Sequence, residues 1–276
     1  MSWWAIDVRT AVEHRAAISA WLVAHTGQTV EERDDGTVVA FAPDAAEANA
    51  VVAALGTTRV PAAAVFRRVE EVDWSTQWRQ GLGPRRFGRL LVVPTWLPEA
   101  SAPSPMTVVL DPESAFGSGE HGSTRAALTL LERHLRPGDR VLDLGSGSGI
   151  LAISSVKLGA ARATGIENDA EANPVALRNA ARNGVSDRID FLDGDAGDLA
   201  PLLGPADLIL SNILRSANTA LLPAIVVALR PGGLAIFSGM EEPEADRFRP
   251  ALSAAGLSIR DEVTDAGWWG VAAERA

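Results

Sequence analysis

The sequence predicts an α/β protein in two parts, a doubly wound and mostly parallel sheet preceded by a smaller α+β module. Three observations predict it. From Arg140 onward, short apolar strands alternate with amphipathic helical stretches, a pattern that builds a parallel sheet with helices on both faces. Residues 3–72 run β-α-β-β-α-β, the order of a ferredoxin-like module. Residues 81–105 hold Gly81, Gly83, Pro84, Gly88, Pro94, Pro98, Pro103 and Pro105; they read as a semi-rigid connector with one strand near Arg89–Val93.

Each element has a local reason. Residues 3–9 alternate and are rich in Trp, Ile and Val, as a strand requires. Val12, Ala16, Ile18, Leu22 and Val23 set a helical stripe over 11–25. Strands at 28–33 and 37–42 flank Asp34-Asp35-Gly36, which supplies hairpin turn chemistry. A helix follows Pro43-Asp44 and runs to Leu55, and a strand near Ala64–Val72 closes the module. The second domain starts near Met106. Its strands are expected at Arg140–Leu144, Arg162–Ile166, Arg188–Leu192, Asp207–Ser211, Leu234–Ser238, Leu257–Val263 and Trp268–Ala273, the last two adjacent and therefore antiparallel. Helices are expected at Ile150–Leu158, at Ala170–Asn183 with Gly184 as its cap, at about 217–229 and near Glu244–Ala255.

Composition removes several classes of chemistry. The 276 residues include no cysteine, which excludes disulfides, thiolate metal sites, iron–sulfur clusters and thiol nucleophiles. A formal net charge of -10 argues against a duplex nucleic-acid binder, which needs a basic footprint, and is compatible with a basic protein or a cationic small molecule. Lys157 is the single lysine. The start Met1-Ser2-Trp3-Trp4-Ala5-Ile6-Asp7 has no basic stretch before a charge appears. The apolar run Leu221–Leu229 is far short of the roughly 18 residues of a spanning helix. A cytoplasmic protein with no membrane partner is expected. No pair of histidines has metal spacing, so no metal is expected. Ser146 and Ser148 lack a nucleophile elbow, which speaks against a hydrolase.

The strongest local signal is Val141-Leu142-Asp143-Leu144-Gly145-Ser146-Gly147-Ser148-Gly149-Ile150, between a strand and a helix. There the backbone can approach a ligand at the carboxyl end of a sheet. Dinucleotide enzymes space their glycines G-x-G-x-x-G and place a pyrophosphate on the helix N-terminus. Here the glycines fall at every second position behind Asp143. An acid there repels a phosphate and suits an amino-acid moiety with an ammonium and a neighbouring sulfonium. Glu167 ends the next strand, 22 residues after Gly145; an acid near that distance can accept both hydroxyls of an adenosine ribose, although an acid opening a helix also complements its dipole. Asp195, in Asp193-Gly194-Asp195-Ala196 after the third strand, is either an acceptor for an adenine amino group or a turn acid.

A longer segment points to a family. Asp111-Pro112-Glu113-Ser114-Ala115-Phe116-Gly117-Ser118-Gly119-Glu120-His121-Gly122-Ser123-Thr124 resembles the loop P-x-x-A-F-G-T-G-x-H-x-T-T of the ribosomal protein L11 methyltransferases. Ser211-Asn212-Ile213-Leu214 is similar to that family's A-N-I-L, and Asp73-Trp74 with Trp78-Arg79 to its D-W…W signature. The resemblance covers essentially the whole chain. It implies a Rossmann-like, seven-stranded methyltransferase domain over 106–276 and a ferredoxin-like substrate-recognition domain over 1–72, joined by a linker over 73–105. Residue by residue, the family's S-adenosylmethionine contacts fall on Thr124, Gly145, Glu167 and Asn212. With Phe116, Gly117, Asp143, Gly147, Gly149 and Asp195, these form the expected cofactor site. Ser118 and Ser123 stand for threonines, Ser211 for alanine and Glu167 for aspartate.

The implied reaction is methyl transfer from S-adenosylmethionine to lysine and N-terminal amino groups of ribosomal protein L11, taken free before ribosome assembly and by a monomer. The attacking amine must be neutral, whereas free lysine titrates near pH 10.4; desolvation lowers that value. The enzyme's work is then chiefly positioning. Asn212 is the candidate for orienting the amine. His121 either shapes the acceptor pocket and relays a proton, or is a structural histidine bonded within its loop. His14, His25 and His134 fall on expected helices as surface residues. The tryptophan pairs read as packing residues, with Trp268 alternatively walling the substrate lysine. A related enzyme acting on another protein or a small amine, a nicotinamide-dependent oxidoreductase and a non-catalytic binder are the competing readings; the glycine spacing speaks against the oxidoreductase.

Overall fold

In β1 (Trp4–Thr10) the alternating residues Ile6 and Val8 are fully buried, and they join Val38, Ala40 and Ala42 of β3 (Thr37–Ala42) in one core. The structure, a computed structural model, describes residues 3–33, 35–58, 60–68, 83–101, 103–111, 113 and 115–276. The chain divides into two compact units, residues 1–80 and 81–276.

The first unit adds α1 (Arg15–Thr26), β2 (Glu31–Glu32), α2 (Ala45–Leu55) and β4 (Ala62–Arg68). Ile18 and Leu22 of α1 and Ala48, Val51 and Leu55 of α2 complete its core. Asp44 caps α2 by accepting from the Glu47 N–H at 2.8 Å, a local reason for the helix to begin there. The sheet order is β2-β3-β1-β4, with β1 antiparallel to both neighbours, the ferredoxin-like arrangement. Two boundaries differ from expectation. Val12–His14 forms a 3-10 turn before α1, and β2 is only two residues long because its pairing with β3 is confined to Glu31 and Glu32. Asp34, residues 69–72, Trp74 and Trp78 lie outside the described residues, so the D-W…W signature does too.

The second unit opens with β5 (Arg85–Phe87), β6 (Leu90–Pro94) and β7 (Thr107–Leu110). β5 is antiparallel and β7 parallel to β6. The stretch expected as a connector with one strand is therefore a small sheet. Leu90, Val92, Val108 and Leu110 are buried in the main core, and burial of those side chains outweighs the proline content between them.

The large sheet comprises β8 (Arg140–Leu144), β9 (Arg162–Glu167), β10 (Ile189–Asp193), β11 (Ala206–Asn212), β12 (Leu229–Glu241), β13 (Leu257–Asp265) and β14 (Trp268–Arg275). Its order is β10-β9-β8-β11-β12-β14-β13. β10, β9, β8, β11 and β12 are parallel, and β14 is antiparallel to both its neighbours. Helices α3 (Gly122–His134), α4 (Ile150–Leu158) and α5 (Ala172–Arg182) cover one face, and α6 (Ala196–Leu203), α7 (Arg215–Ala228) and α8 (Ala245–Ala254) the other. Strand alternation sorts the two cores: Val141 and Ile236 pack on the first face, and Leu142, Leu144, Ala235 and Phe237 on the second. Gly184 takes φ 65° just past α5. Among the described residues, no helix is long and apolar enough to cross a membrane.

The chain runs from β8 outward to β9 and β10, then returns to β11 on the other side. That reversal leaves a crevice beyond the carboxyl ends of β8 and β11, where open α/β sheets place their ligands.

Candidate functional site

A cleft of about 640 Å³ occupies that crevice. Its floor is the glycine loop after β8. The Gly145 N–H donates to the Ile166 carbonyl at 2.8 Å, which turns the loop against β9. Gly145 and Gly147 have φ 73° and 51°, a region glycine enters without strain. A Cβ on Gly147 would lie 2.6 Å from the Phe116 carbonyl oxygen, and one on Gly145 would lie 2.6 Å from Ile213 Cγ2. The loop around Phe116 is sewn onto this floor. Ser148 N–H donates to Phe116 O at 2.9 Å, and Ser148 Oγ to Gly117 O at 2.7 Å. Asn179 Nδ2 of α5 donates to both Ser148 O and Asp111 O at 3.0 Å.

Two carboxylates stand on the cleft wall and one beneath it. Glu167 ends β9; its Oε2 accepts from Gly147 N at 2.9 Å, and its Oε1 from Asn168 N at 2.9 Å and Asp169 N at 3.1 Å. Asp195 lines the cleft and also caps α6, accepting from Gly197 N at 2.6 Å. Asp143 is buried below the loop. Its Oδ2 accepts from Ala152 N at 3.0 Å, while Oδ1 has no partner. Burial pushes its pKa up to about 7, against the Ala152 hydrogen bond and with a smaller push from the Glu167 charge.

The opposite wall comes from α3, β11 and β14. Asn212 ends β11; its Nδ2 donates to Oγ1 of the fully buried Thr124 at 3.3 Å, and its Oδ1 is buried without a partner. His121, the residue before α3, has Nδ1 2.7 Å from Ser123 Oγ. Its ring lies 4.2 Å from the Trp268 ring and 5.4 Å from the Phe116 ring. Burial, and then the Arg125 charge, hold its pKa below the ordinary histidine value, which favours the neutral imidazole. Arg125 Nε in turn donates to Asp265 Oδ2 at 3.0 Å, tying α3 to the hairpin that carries Trp268.

Of the residues expected from sequence, Phe116, His121, Gly145, Gly147, Glu167, Asp195 and Asn212 line the cleft. Gly117, Thr124 and Gly149 stand behind that lining, bonded to the residues that form or carry it, and Asp143 lies deeper, bonded to Ala152 of α4. Sequence reasoning missed the apolar side built by Leu214, Ala217 and Leu221 at the start of α7. Their spacing of three and four is a helical stripe, a signal that was present. It also missed α6, hidden by Gly197 and Pro201 inside the helix. Trp269 is core, packed on Phe248, and Trp268 is a cleft wall. His134, expected on the surface, is half-buried with Nε2 2.9 Å from Asp261 Oδ2; the pairing draws it inward.

Among the described residues, the lining holds the carboxylates of Glu167 and Asp195 and no arginine or lysine. A pyrophosphate would meet two negative charges there and no cation, whereas a cationic nucleoside would be attracted. Among the described residues, no three His, Cys, Asp or Glu side chains group in a way that could hold a metal ion.

Compared with known proteins, the chain matches the model of the family described as ribosomal protein L11 methyltransferase (PrmA) over residues 3–276. It belongs to that family. The ribosomal protein L11 methyltransferase of Pelotomaculum thermopropionicum is 40% identical to it over 215 residues, which cover 77% of this chain and 69% of that protein. The Thermus thermophilus ribosomal protein L11 methyltransferase is 40% identical over 209 residues, 76% of this chain and 80% of that one. The crystal structure of ribosomal protein L11 methylase from Lactobacillus delbrueckii subsp. bulgaricus aligns with a TM-score of 0.63 at 31% identity, covering 70% of this chain and 99% of that chain. In this member of the PrmA family, the loop from Phe116 to Thr124 and the segment Ser211–Leu214 meet across one cleft through Thr124 and Asn212.

Proposed function

We propose that the protein transfers methyl groups from S-adenosylmethionine to amino groups of ribosomal protein L11, on lysine side chains and the N-terminus. One observation carries the reading: in a chain that matches the family along its length, the glycine loop, Glu167 and Asn212 line one cleft together with His121 and Trp268.

The residues fit the cofactor. The cleft volume suits a nucleoside-sized ligand. Gly145 and Gly147 bare the backbone where a Cβ would collide. Glu167 stands at the strand end that suits ribose hydroxyls, and Asp195 with Ala196 and Leu221 forms the side available to adenine. When bound, the cofactor supplies an electrophilic methyl carbon on a sulfonium. The rest is the work of this chain. Asn212 Oδ1, buried and unpaired, is an acceptor for an N–H of the incoming amine. The Phe116, His121 and Trp268 rings surround the approach and shed water from it, which favours the neutral amine needed for attack. His121, held neutral, can take the proton that the amine loses.

The test is mass spectrometry of free ribosomal protein L11 incubated with the protein and S-adenosylmethionine. Methyl-sized increments located on lysine or the N-terminal amine are expected. Tight cofactor binding with no increment on L11 would overturn the reading and leave another protein or a small amine as the acceptor.

A further inference from the structure

We propose that Asn218 is a positioning residue that sets the amide of Asn212; the proposal rests on the reading of Asn212 as the group that receives the amine. Asn212 sits where β11 loses a neighbour. The ladder with β8 ends at Ser211 opposite Leu144, and Asn212 itself pairs only with Ser238 of β12. Past that point, strand pairing alone holds the residue from one side.

Asn218 replaces the missing support. It is fully buried in the first turns of α7. Its Oδ1 accepts from Ser211 Oγ at 2.7 Å, and its Nδ2 donates to Ile213 O and to Ser238 O, each at 2.9 Å. One side chain thus grips the residues on both sides of Asn212 and the strand beside it. The connections continue into a ring. Ser238 Oγ donates to Ser123 O at 2.8 Å, and the next residue, Thr124, accepts from Asn212 Nδ2. The ring joins β11, α7, β12 and α3. Because Thr124 engages the Nδ2 end of the Asn212 amide, the Oδ1 end is left buried and unpartnered in a residue that lines the cleft.

A purely structural role fits less well. Ser211, Asn218 and Ser238 are at most 1% exposed. Buried polar groups cost free energy unless every one finds a partner. Apolar side chains of the same size would fill the site without that demand, whereas a satisfied polar network fixes direction as well as volume. Direction is what an amine-orienting amide requires.

The experiment compares wild type with N218L, S211A and L252A. Leu252 is a fully buried residue of α8, outside the cleft, whose truncation destabilises without touching the ring. For N218L, kcat for methylation of ribosomal protein L11 is expected to fall at least about tenfold, since small misplacements of reacting groups are costly. Its S-adenosylmethionine Kd should stay within about twofold, and S211A, which restores the alanine of the family's pattern and leaves both Asn218 Nδ2 bonds in place, should keep kcat within about twofold of wild type. L252A should lower Tm comparably and keep kcat within about twofold of wild type. A crystal structure of N218L should show the Asn212 amide turned away from Thr124. An unchanged kcat in N218L, a loss that L252A reproduces, or an unmoved Asn212 amide would each overturn the proposal. If wild type leaves L11 unmethylated, the functional reading falls, and the position of the Asn212 amide in N218L still decides the positioning claim.

Discussion

The backbone N–H of Gly147 donates to Oε2 of Glu167 at 2.9 Å, so the acid that ends β9 is latched to the glycine loop that follows β8. Two further backbone donors, Asn168 and Asp169, occupy its Oε1. The floor of the cleft and the wall at Glu167 are thereby one hydrogen-bonded unit, and a change at Glu167 disturbs both.

Glu167→Gln should weaken cofactor binding sharply. A glutamine has a single acceptor oxygen, so it cannot serve Gly147 on one side and Asn168 and Asp169 on the other. The loss of those internal bonds lowers stability, and an amide that takes the place of the carboxylate also costs the ribose at least one hydrogen bond to a charged group; at about 1.5–3 kcal/mol that corresponds to a Kd for S-adenosylmethionine raised roughly ten- to a hundredfold. Titration calorimetry reads it directly, and an unchanged Kd would place the ribose elsewhere.

Gly147→Ala should cost both stability and binding. The residue has φ 51°, and its new Cβ would stand 2.6 Å from the Phe116 carbonyl oxygen. A left-handed conformation alone costs an ordinary residue about 1–2 kcal/mol, and the collision adds to it. Urea unfolding should show the variant less stable by at least that amount. The Phe116 loop should move with it, since Ser148 fastens the two loops together.

How much of this was legible in the sequence depended on distance along the chain. The glycine loop and Glu167 could be read because their meaning lies in local spacing between a strand and a helix. Asn212 needed the family resemblance, since one asparagine after a strand carries no signal of its own. Asp195 is open in the sequence between ligand and turn acid; its carboxylate caps α6 while the residue lines the cleft, and residue type could not separate those positions. The sheet β5–β6–β7 was hidden because prolines marked its connections while the pairing of Leu91 with Thr107 is non-local. The ring through Ser211, Asn218, Ser238 and Ser123 was invisible for the same reason. Ser211 stood out only as a departure from alanine, and its partner emerged from the fold.

Arg125→Ala should raise the His121 pKa toward, but not to, its ordinary value. Burial is the larger cause of the depression and the Arg125 charge the smaller, so removing the charge relieves part of it. A histidine held below its usual pKa contributes stability that is present above about pH 6.5 and fades as pH falls. The variant should therefore lose less stability than wild type in that acid window. The loss of the Asp265 tie should also free the hairpin bearing Trp268. Ring-proton NMR of His121 measures the shift, and an unmoved titration would assign the depression to burial alone.

Asp143→Asn should change how stability depends on pH. The Asp143 carboxyl is buried, and its pKa is pushed up to about 7, whereas in the unfolded chain it titrates near 3.9. Below about pH 4 both states hold the proton and the group is indifferent. Between about pH 4 and 7 the unfolded chain has released it and the fold has not, so rising pH favours unfolding through that window. Asparagine does not ionise, so the variant lacks this slope while every other group titrates as in wild type. The stability of D143N relative to wild type should therefore climb from pH 4 to pH 8, whatever constant offset the substitution brings. Urea unfolding of both proteins at four pH values across that range measures the difference. A flat difference would mean that the carboxyl ionises in the fold near its ordinary pKa, with its unpartnered Oδ1 satisfied by a group that stabilises the charge.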